Sequence, residues 1–300
     1  MDLNSYLKEK ENIINKALDS LLPKEDEFPQ KLHKAMRYSV FAGGKRIRPI
    51  LCLASAEIFE GVSNNIINVA CAIEMVHTYS LIHDDLPAID NDDLRRGIPT
   101  NHKVFGEAMA ILAGDALLTK AFQIISQKSE GRVGFAHHQP STLLQIVYEI
   151  AEAAGSTGMV GGQVVDIESE GKEVAFPLLE YIHIHKTGEL ILASCRAGAI
   201  MANGDDKSLD AVTKYGEAIG LAFQITDDLL DIEGNREETG KAVGGDVKKG
   251  KATYPSVLGI DESKKRAQEL AGIAVASLND FGRKAEPLRE IARYLVKRRR

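Results

Sequence analysis

Two runs of aspartate are the residues in this chain best placed to do chemistry. The first is Asp84-Asp85-Leu86-Pro87-Ala88-Ile89-Asp90-Asn91-Asp92-Asp93, and the second is Asp227-Asp228-Leu229-Leu230-Asp231. Each follows an apolar segment of helical pattern, 73–83 before the first and 218–226 before the second. Carboxylates crowded beside buried surface repel one another and lose hydration, so they must be protonated, paired with cations or bound to metal. An all-oxygen donor set favours Mg²⁺ or Ca²⁺ over metals that prefer thiolate or imidazole. Asp227 and Asp231 stand at i and i+4, so on a helix they stack about 6 Å apart on one face. Asp228 is turned roughly 100° away. Asp84 and Asp90, at i and i+6, would diverge on a continuous helix, but Pro87 kinks or ends it and lets Asp90 fold back towards Asp84. A solvated helix end is the competing reading for one such cluster; two, each behind an apolar helix, favour metal.

Cations gather at several other places. A helix over about 30–41 stops at Gly43-Gly44, and Pro49 suits the first turn of the next one. Lys45 and Arg48 therefore sit in a Gly-framed loop opening onto a helix N-terminus, a favourable place for an anion or else an ordinary basic loop. His77 lies two turns before Asp84 on nearly the same face, as a core histidine or as part of the site. Arg95 and Arg96 either neutralise the neighbouring acids or, with metal on those acids, bind phosphate bidentately. Gly161-Gly162-Gln163 suggests close helix packing or backbone approach to a ligand, with Asp166 on the face of Gln163. Lys186-Thr187-Gly188 interrupts a long helical pattern, and the kink would turn Lys186 and Thr187 inward. The segment 234–253 is rich in glycine and carries Lys241, Lys248, Lys249 and Lys251. It nearly spells a P-loop but has Ala252 where Ser or Thr should hold Mg²⁺, and no strand precedes it. An EF-hand fails on the position of Gly234. A basic lid over an acidic mouth fits better.

The elements that must position these residues read as helices almost throughout. Beyond those named, the pattern predicts helices over about 3–22, 64–84, 106–126, 142–154, 156–168 and 190–202, one opening at Pro177, and one capped by Ser208 that carries the second acidic run. Residues 127–141 read as a polar loop whose His137 and His138 lack metal-binding company. Strand signal is nearly absent, so the expectation is one all-helical domain over 1–300. With 300 residues and 44% hydrophobic content the chain can bury a large core. A net charge of −6 argues against a nucleic-acid surface. Cys52, Cys71 and Cys195 show no ligand spacing and read as reduced core thiols of a cytoplasmic protein. The first residues lack the order of a signal peptide, and no apolar run is expected to reach the roughly 18 residues that span a bilayer. The ligand these parts describe has a polyanionic head and an apolar tail, the shape of an isoprenoid diphosphate.

In the order Gly43-Gly44-Lys45-Arg46-Ile47-Arg48-Pro49, Asp84 to Asp90 with Arg95-Arg96-Gly97, Gly162-Gln163, Lys186-Thr187-Gly188, and Gln224-x2-Asp227-Asp228-x2-Asp231, the chain resembles the short-chain trans-prenyl diphosphate synthases over essentially its whole length. Among them it is most like bacterial farnesyl diphosphate synthases. The resemblance implies an all-α bundle of about ten or more helices around a deep central cavity, usually assembled as a homodimer. It implies that Asp84, Asp85, Asp90, Asp227 and Asp231 hold about three Mg²⁺ ions, with Mn²⁺ as a substitute, on an allylic diphosphate. Arg95, Lys186, Thr187, Gln224, Lys241 and Lys251 would help, and Asp228 belongs to the same catalytic set. Lys45, Arg48, His77 and Arg96 would bind isopentenyl diphosphate. The implied reaction is ionisation of the allylic diphosphate, head-to-tail condensation and loss of a proton, in a cavity that excludes water. Tyr79 and Ser80, five and four residues before the first motif, are associated with product length, and the aromatic Tyr79 resembles the fifteen-carbon pattern. Ten- or twenty-carbon synthesis is the near alternative. A terpene cyclase usually lacks the second Asp-rich motif, a non-catalytic subunit would have lost ligands, and a purely structural protein leaves the ordered motifs unexplained.

Overall fold

The computed structural model describes residues 1–59, 61–126, 140–233 and 251–297. The expected all-α architecture is what it shows, and the helix that organises it is α4, Asn64–Asp84. Its N-terminus is capped by the Ser63 hydroxyl, which accepts from the Ile66 N–H, and its side chains are apolar around nearly the whole circumference. Such a helix has to lie at the centre. Before it come α1 (Leu3–Leu21), α2 (Gln30–Val40) and α3 (Ile47–Glu57), and after it α5 (Asn101–Phe105) and α6 (Glu107–Ile125). Then follow α7 (Pro140–Ala154), α8 (Met159–Ser169), α9 (Phe176–His183), a π-helical turn (Ile184–Gly188), α10 (Glu189–Met201) and α11 (Asp206–Glu233). The chain closes with α12 (Tyr254–Leu258), α13 (Ile260–Ser277), a 3₁₀ turn (Asn279–Ala285) and α14 (Glu286–Leu295).

Two apolar clusters hold these helices. One gathers α4 and α6 with α1, α2 and α7 around residues such as Ile14, Val76 and Leu117. The other gathers α3, α10, α11, α13 and α14 around residues such as Leu51, Tyr215 and Leu288. Helices α3 and α10 pack on each other and α4 touches both, so the clusters share a seam under the site.

Several boundaries differ from the sequence expectation for identifiable reasons. The helix that carries the second acidic run begins at Asp206, and the carboxylate of Asp205 accepts from the Ser208 N–H at 2.9 Å, so Asp205 holds the capping position expected of Ser208. A short hairpin pairs Leu94 with Pro99 and Arg95 with Ile98, where no strand is expected. Its two-residue turn is Arg96-Gly97, both at positive φ (54° and 82°), the backbone that such turns need. Arg-Gly lacks the Asn-Gly or Asp-Gly signature, which is why it goes unread. Helices α4 and α6 are also long and apolar enough to cross a membrane by length and composition, against the expectation of no such run. In α4 that window is 67% buried within the protein, and in α6 only 39%.

The interruption at Lys186-Thr187-Gly188 takes the form of the π-helical turn, whose extra residue rotates the side chains that follow. It lies in a slot cut by glycines. A Cβ on Gly162 of α8 would overlap the backbone nitrogen of Lys186, and one on Gly220 of α11 would stand 2.8 Å from the Gly188 Cα. At Gly162 the close helix packing expected of Gly161-Gly162 is present.

Candidate active site

Helix α4 ends at Asp84, and the chain turns back within six residues. The Asp90 N–H donates to the Asp84 carbonyl at 2.8 Å, and the Asn91 N–H to the Leu86 carbonyl at 3.0 Å. Pro87 sits in that turn, so Asp84 and Asp90 meet as expected. Asp84 is pushed up to about 6, chiefly by burial. Lys186 and Arg95 pull it back, while Asp90 and Asp85 push it further. Asp85 differs from both. It is buried, and Arg95 clasps it with Nε at 2.7 and 2.9 Å from its two oxygens and a terminal nitrogen at 2.5 Å from one of them. Burial disfavours the Arg95 cation, but these bonds outweigh it and raise its pKa. Asp85 is thus held in place by Arg95, a pairing that fixes both side chains at the rim.

Two lysines enter from opposite directions. Lys186, on the π-helical turn, lies 2.6 Å from Asp166 of α8. Lys251 lies 3.0 Å from Asp90 and 3.5 Å from the same Asp166. Asp166, itself 9% exposed, thus gathers both ammonium groups beside the first acidic run. No role is assigned to it from sequence, although its place one turn after Gln163 is the available signal. Both amide atoms of Gln163 are buried without a partner among the described residues.

The second run lies on α11. Asp227 and Asp231 share one face and are half-buried, whereas Asp228 points into the protein at 2% exposure. Its carboxylate accepts from His183 Nε2 at 2.8 Å, from Gln224 Nε2 at 2.9 Å and from the Tyr254 N–H at 2.9 Å. Thr187 donates to Gln224 Oε1 at 2.9 Å. Asp228 is thus engaged in an interior hydrogen-bond network, whereas Asp227 and Asp231 lie on the neighbouring face. His183 and Tyr254 go unnoticed in the sequence, because nothing local marks a partner that comes from another helix.

A separate cationic pocket forms where α3 opens. Arg48 is in the first turn of α3 instead of the preceding loop, and Lys45 stays on that loop, exposed. Burial lowers Arg48 to about 10, against the pull of Glu74 and Asp227. Its Nε is buried without a partner among the described residues. Arg48 stands 3.4 Å from His77 Nε2. Burial, followed by the charges of Arg48, Arg96, Arg95 and Arg46, holds His77 well below the usual histidine range, so its ring is neutral at neutral pH. Arg96, at the hairpin turn, donates to the Gly43 carbonyl and lies so close over Gly44 that a Cβ there would overlap its guanidinium. Arg46 points the other way. Its guanidinium bonds to Glu74 at 2.7 Å, Asn15 at 3.0 Å and the Val40 carbonyl at 2.5 Å, all in the interior. Lys241 and most of the expected basic lid lie outside the described residues.

Acids and lysines on one rim, a pocket of arginine and histidine on the other and apolar helices beneath suit two diphosphate-headed substrates. Comparison with known proteins agrees. A sequence model of the family described as polyprenyl synthetase matches residues 29–290. The chain belongs to the polyprenyl synthetases. This synthetase is 49% identical over 266 residues to the farnesyl diphosphate synthase of Geobacillus stearothermophilus, covering 89% of this chain and 88% of that one. It is 47% identical over 300 residues to a chloroplastic geranylgeranyl pyrophosphate synthase of Catharanthus roseus, covering 99% and 82%. Among solved structures, an FPP/GFPP synthase from Zymomonas mobilis superposes with a TM-score of 0.86 at 38% identity, covering 98% of this chain and 99% of that one.

The donor set fits magnesium. Among the described residues no three Asp, Glu, His or Cys side chains converge on one point. Mg²⁺ is commonly bound through one or two carboxylates together with substrate phosphates, and so needs no preformed protein cage. Burial is what chiefly raises Asp84, a cost to its charged form that a bound cation would offset.

Proposed function

We propose that this synthetase condenses isopentenyl diphosphate with dimethylallyl and then geranyl diphosphate, head to tail, to give the fifteen-carbon farnesyl diphosphate in a magnesium-dependent reaction. The observation that carries the reading is the pairing of a carboxylate rim stocked with Lys186 and Lys251 and a distinct pocket where Arg48 presents a buried Nε without a partner among the described residues. Asp84, Asp90, Asp227 and Asp231 would hold Mg²⁺, which when bound neutralises the departing diphosphate. Lys186, Lys251 and Arg95 add positive charge where that group leaves, a term that lowers the barrier to ionisation. Arg48, Arg96 and neutral His77 hold the second diphosphate so that its double bond faces the allylic carbon. The apolar walls keep water from trapping the cation, and the departing diphosphate takes the final proton.

Tyr79 supports the fifteen-carbon product. It is 7% exposed, one turn before His83, with the two rings edge to face at 5.7 Å, so a bulky aromatic group is fixed on α4 five residues before Asp84. Ser80, by contrast, is small and bonds back to the His77 carbonyl at 2.9 Å. A twenty-carbon product is the second reading, favoured by the relative named for geranylgeranyl synthesis. The deciding experiment supplies isopentenyl and dimethylallyl diphosphates with and without Mg²⁺ and separates the products by length. A magnesium-dependent fifteen-carbon product is expected, and Tyr79→Ala should lengthen it. A twenty-carbon product from the wild type would overturn the length reading, and no product at all would overturn the activity.

The proposal extends to a homodimer, because Ile111 and Leu112 on α6 and Leu144 and Tyr148 on α7 are all exposed apolar residues on neighbouring helices. It extends also to a cytoplasmic location, consistent with three buried free thiols.

A further inference from the structure

The hydrogen bonds around Asp228 have a fixed direction. The backbone N–H of Tyr254 can only donate, so Oδ2 of Asp228 accepts, and as a carboxylate Asp228 accepts at Oδ1 as well. Gln224 must therefore turn its Nε2 to Oδ1, 2.9 Å away, and its Oε1 to Thr187, also 2.9 Å away. An amide oxygen cannot donate, so the bond between them uses the Thr187 proton. A hydroxyl has one proton and two lone pairs. What Thr187 has left for the site is lone pairs, and an ionised diphosphate, which offers only acceptors, cannot pair with them.

We propose that Asp228 is a positioning residue that sets the direction of the chain Asp228–Gln224–Thr187, so that Thr187 acts as an acceptor for a water molecule carried in by the Mg²⁺–diphosphate complex. This inference rests on the proposed function. His183 secures it, because its Nε2 joins Tyr254 in donating to Oδ2 and leaves Oδ1 to Gln224 alone. The five groups come from α9, the π-helical turn, α11 and the start of α12, so the direction of one amide is set by partners that no single element supplies.

The amide variant Asp228→Asn reverses the chain while preserving its shape. Its oxygen must face the Tyr254 N–H, so its nitrogen faces Gln224. Gln224 then flips, and the Thr187 proton turns into the site. The exchange Gln224→Glu with Asp228→Asn restores the direction of the Thr187 bond at unchanged net charge, with the bond between 224 and 228 reversed. The carboxylate introduced at position 224 can only accept, from the amide at position 228 on one side and from the Thr187 hydroxyl on the other. The experiment is calorimetric titration of inorganic pyrophosphate into each protein, with and without Mg²⁺, alongside melting temperatures. Asp228→Asn should weaken pyrophosphate about ten-fold in Mg²⁺, the scale of one hydrogen bond lost, and tighten metal-free binding, because the Thr187 proton then faces the bare anion. The double variant should recover most of that loss, and in a Thr187→Val background Asp228→Asn should add nothing further.

Binding in Mg²⁺ that is unchanged or tighter in Asp228→Asn, or a double variant no better than the single one, would overturn the proposal. If Asp228→Asn does not fold, the double variant decides, because it keeps the Thr187 hydroxyl donating to position 224 and should bind Mg²⁺ and pyrophosphate nearly as the wild type does. A wild type that neither binds pyrophosphate with Mg²⁺ nor makes prenyl product defeats the proposed function instead. Normal wild-type behaviour with an insensitive Asp228→Asn defeats this inference alone.

Discussion

At the scale of single residues, the acids of the two rims differ in what their surroundings demand of them. Asp84 gains charge only against burial and the repulsion of Asp90 and Asp85, which lift it to about 6 from an ordinary value of 3.8. Between those values the folded protein binds a proton that the unfolded chain releases, so stability is full below the lower pH and falls as pH rises through about 6. Metal-free protein should therefore melt at a lower temperature at pH 7 than at pH 4 from this group, by at most about 3 kcal/mol of stability. Asp84→Asn should flatten the profile, as calorimetric melts in chelator would show; a profile unchanged by the substitution would sink the argument. The same substitution site tests chemistry. Asp84→Ala and Asp227→Ala should each lower turnover by about 10²-fold or more while leaving the fold intact, on the scale of removing one preorganised electrostatic contact. Near-normal rates in either would remove it from the metal-binding set. Which acids act and which support could not be read from spacing alone. Asp227 and Asp231 share a helix face by periodicity, but the burial of Asp228 depends on His183 and Tyr254, distant in sequence.

At the scale of elements, the site depends on one irregular turn. The π-helical turn brings Lys186 to Asp166 and Thr187 to Gln224 because α8 and α11 approach it at glycines. Gly162→Ala forces a methyl group into the Lys186 backbone and should cost about 1–3 kcal/mol, as overpacking does, with a matching loss of turnover. Gly272→Ala on α13 is the control, since a Cβ there meets nothing within 4 Å, and it should be neutral or slightly stabilising. Equal melting temperatures for the two variants would show that the slot tolerates side chains. Most of this level was legible in advance. Apolar periodicity placed α1, α4 and α6 within a residue or so, and the Thr-Gly pair marked the break at 186–188. The hairpin at 94–99 was not legible, because its two-residue strands carry no period and its turn relies on an arginine at positive φ. Nor was Asp166, whose importance arises only when Lys186 and Lys251 reach it from 20 or more residues away.

At the scale of the whole molecule, helix α6 combines high hydropathy with a window only 39% buried, and its exposed Leu112 is the natural place to test assembly. Leu112→Asp should convert the proposed dimer to monomer in sedimentation at micromolar concentration while leaving the helical circular dichroism signal intact. A wild type that sediments as a monomer would instead rule the dimer out. The inward-facing Arg46 has a different consequence. By bonding Glu74 it ties the loop that carries Lys45 to the middle of α4, and ten residues further along the same helix stands Asp84. At 1.5 Å per residue that interval is about 15 Å. Both ends of the reaction are thus gauged against one rigid rod. Under the proposed role of Tyr79, changes beneath it would lengthen or shorten the product without altering the separation of the two heads, so specificity and chemistry would be free to drift apart.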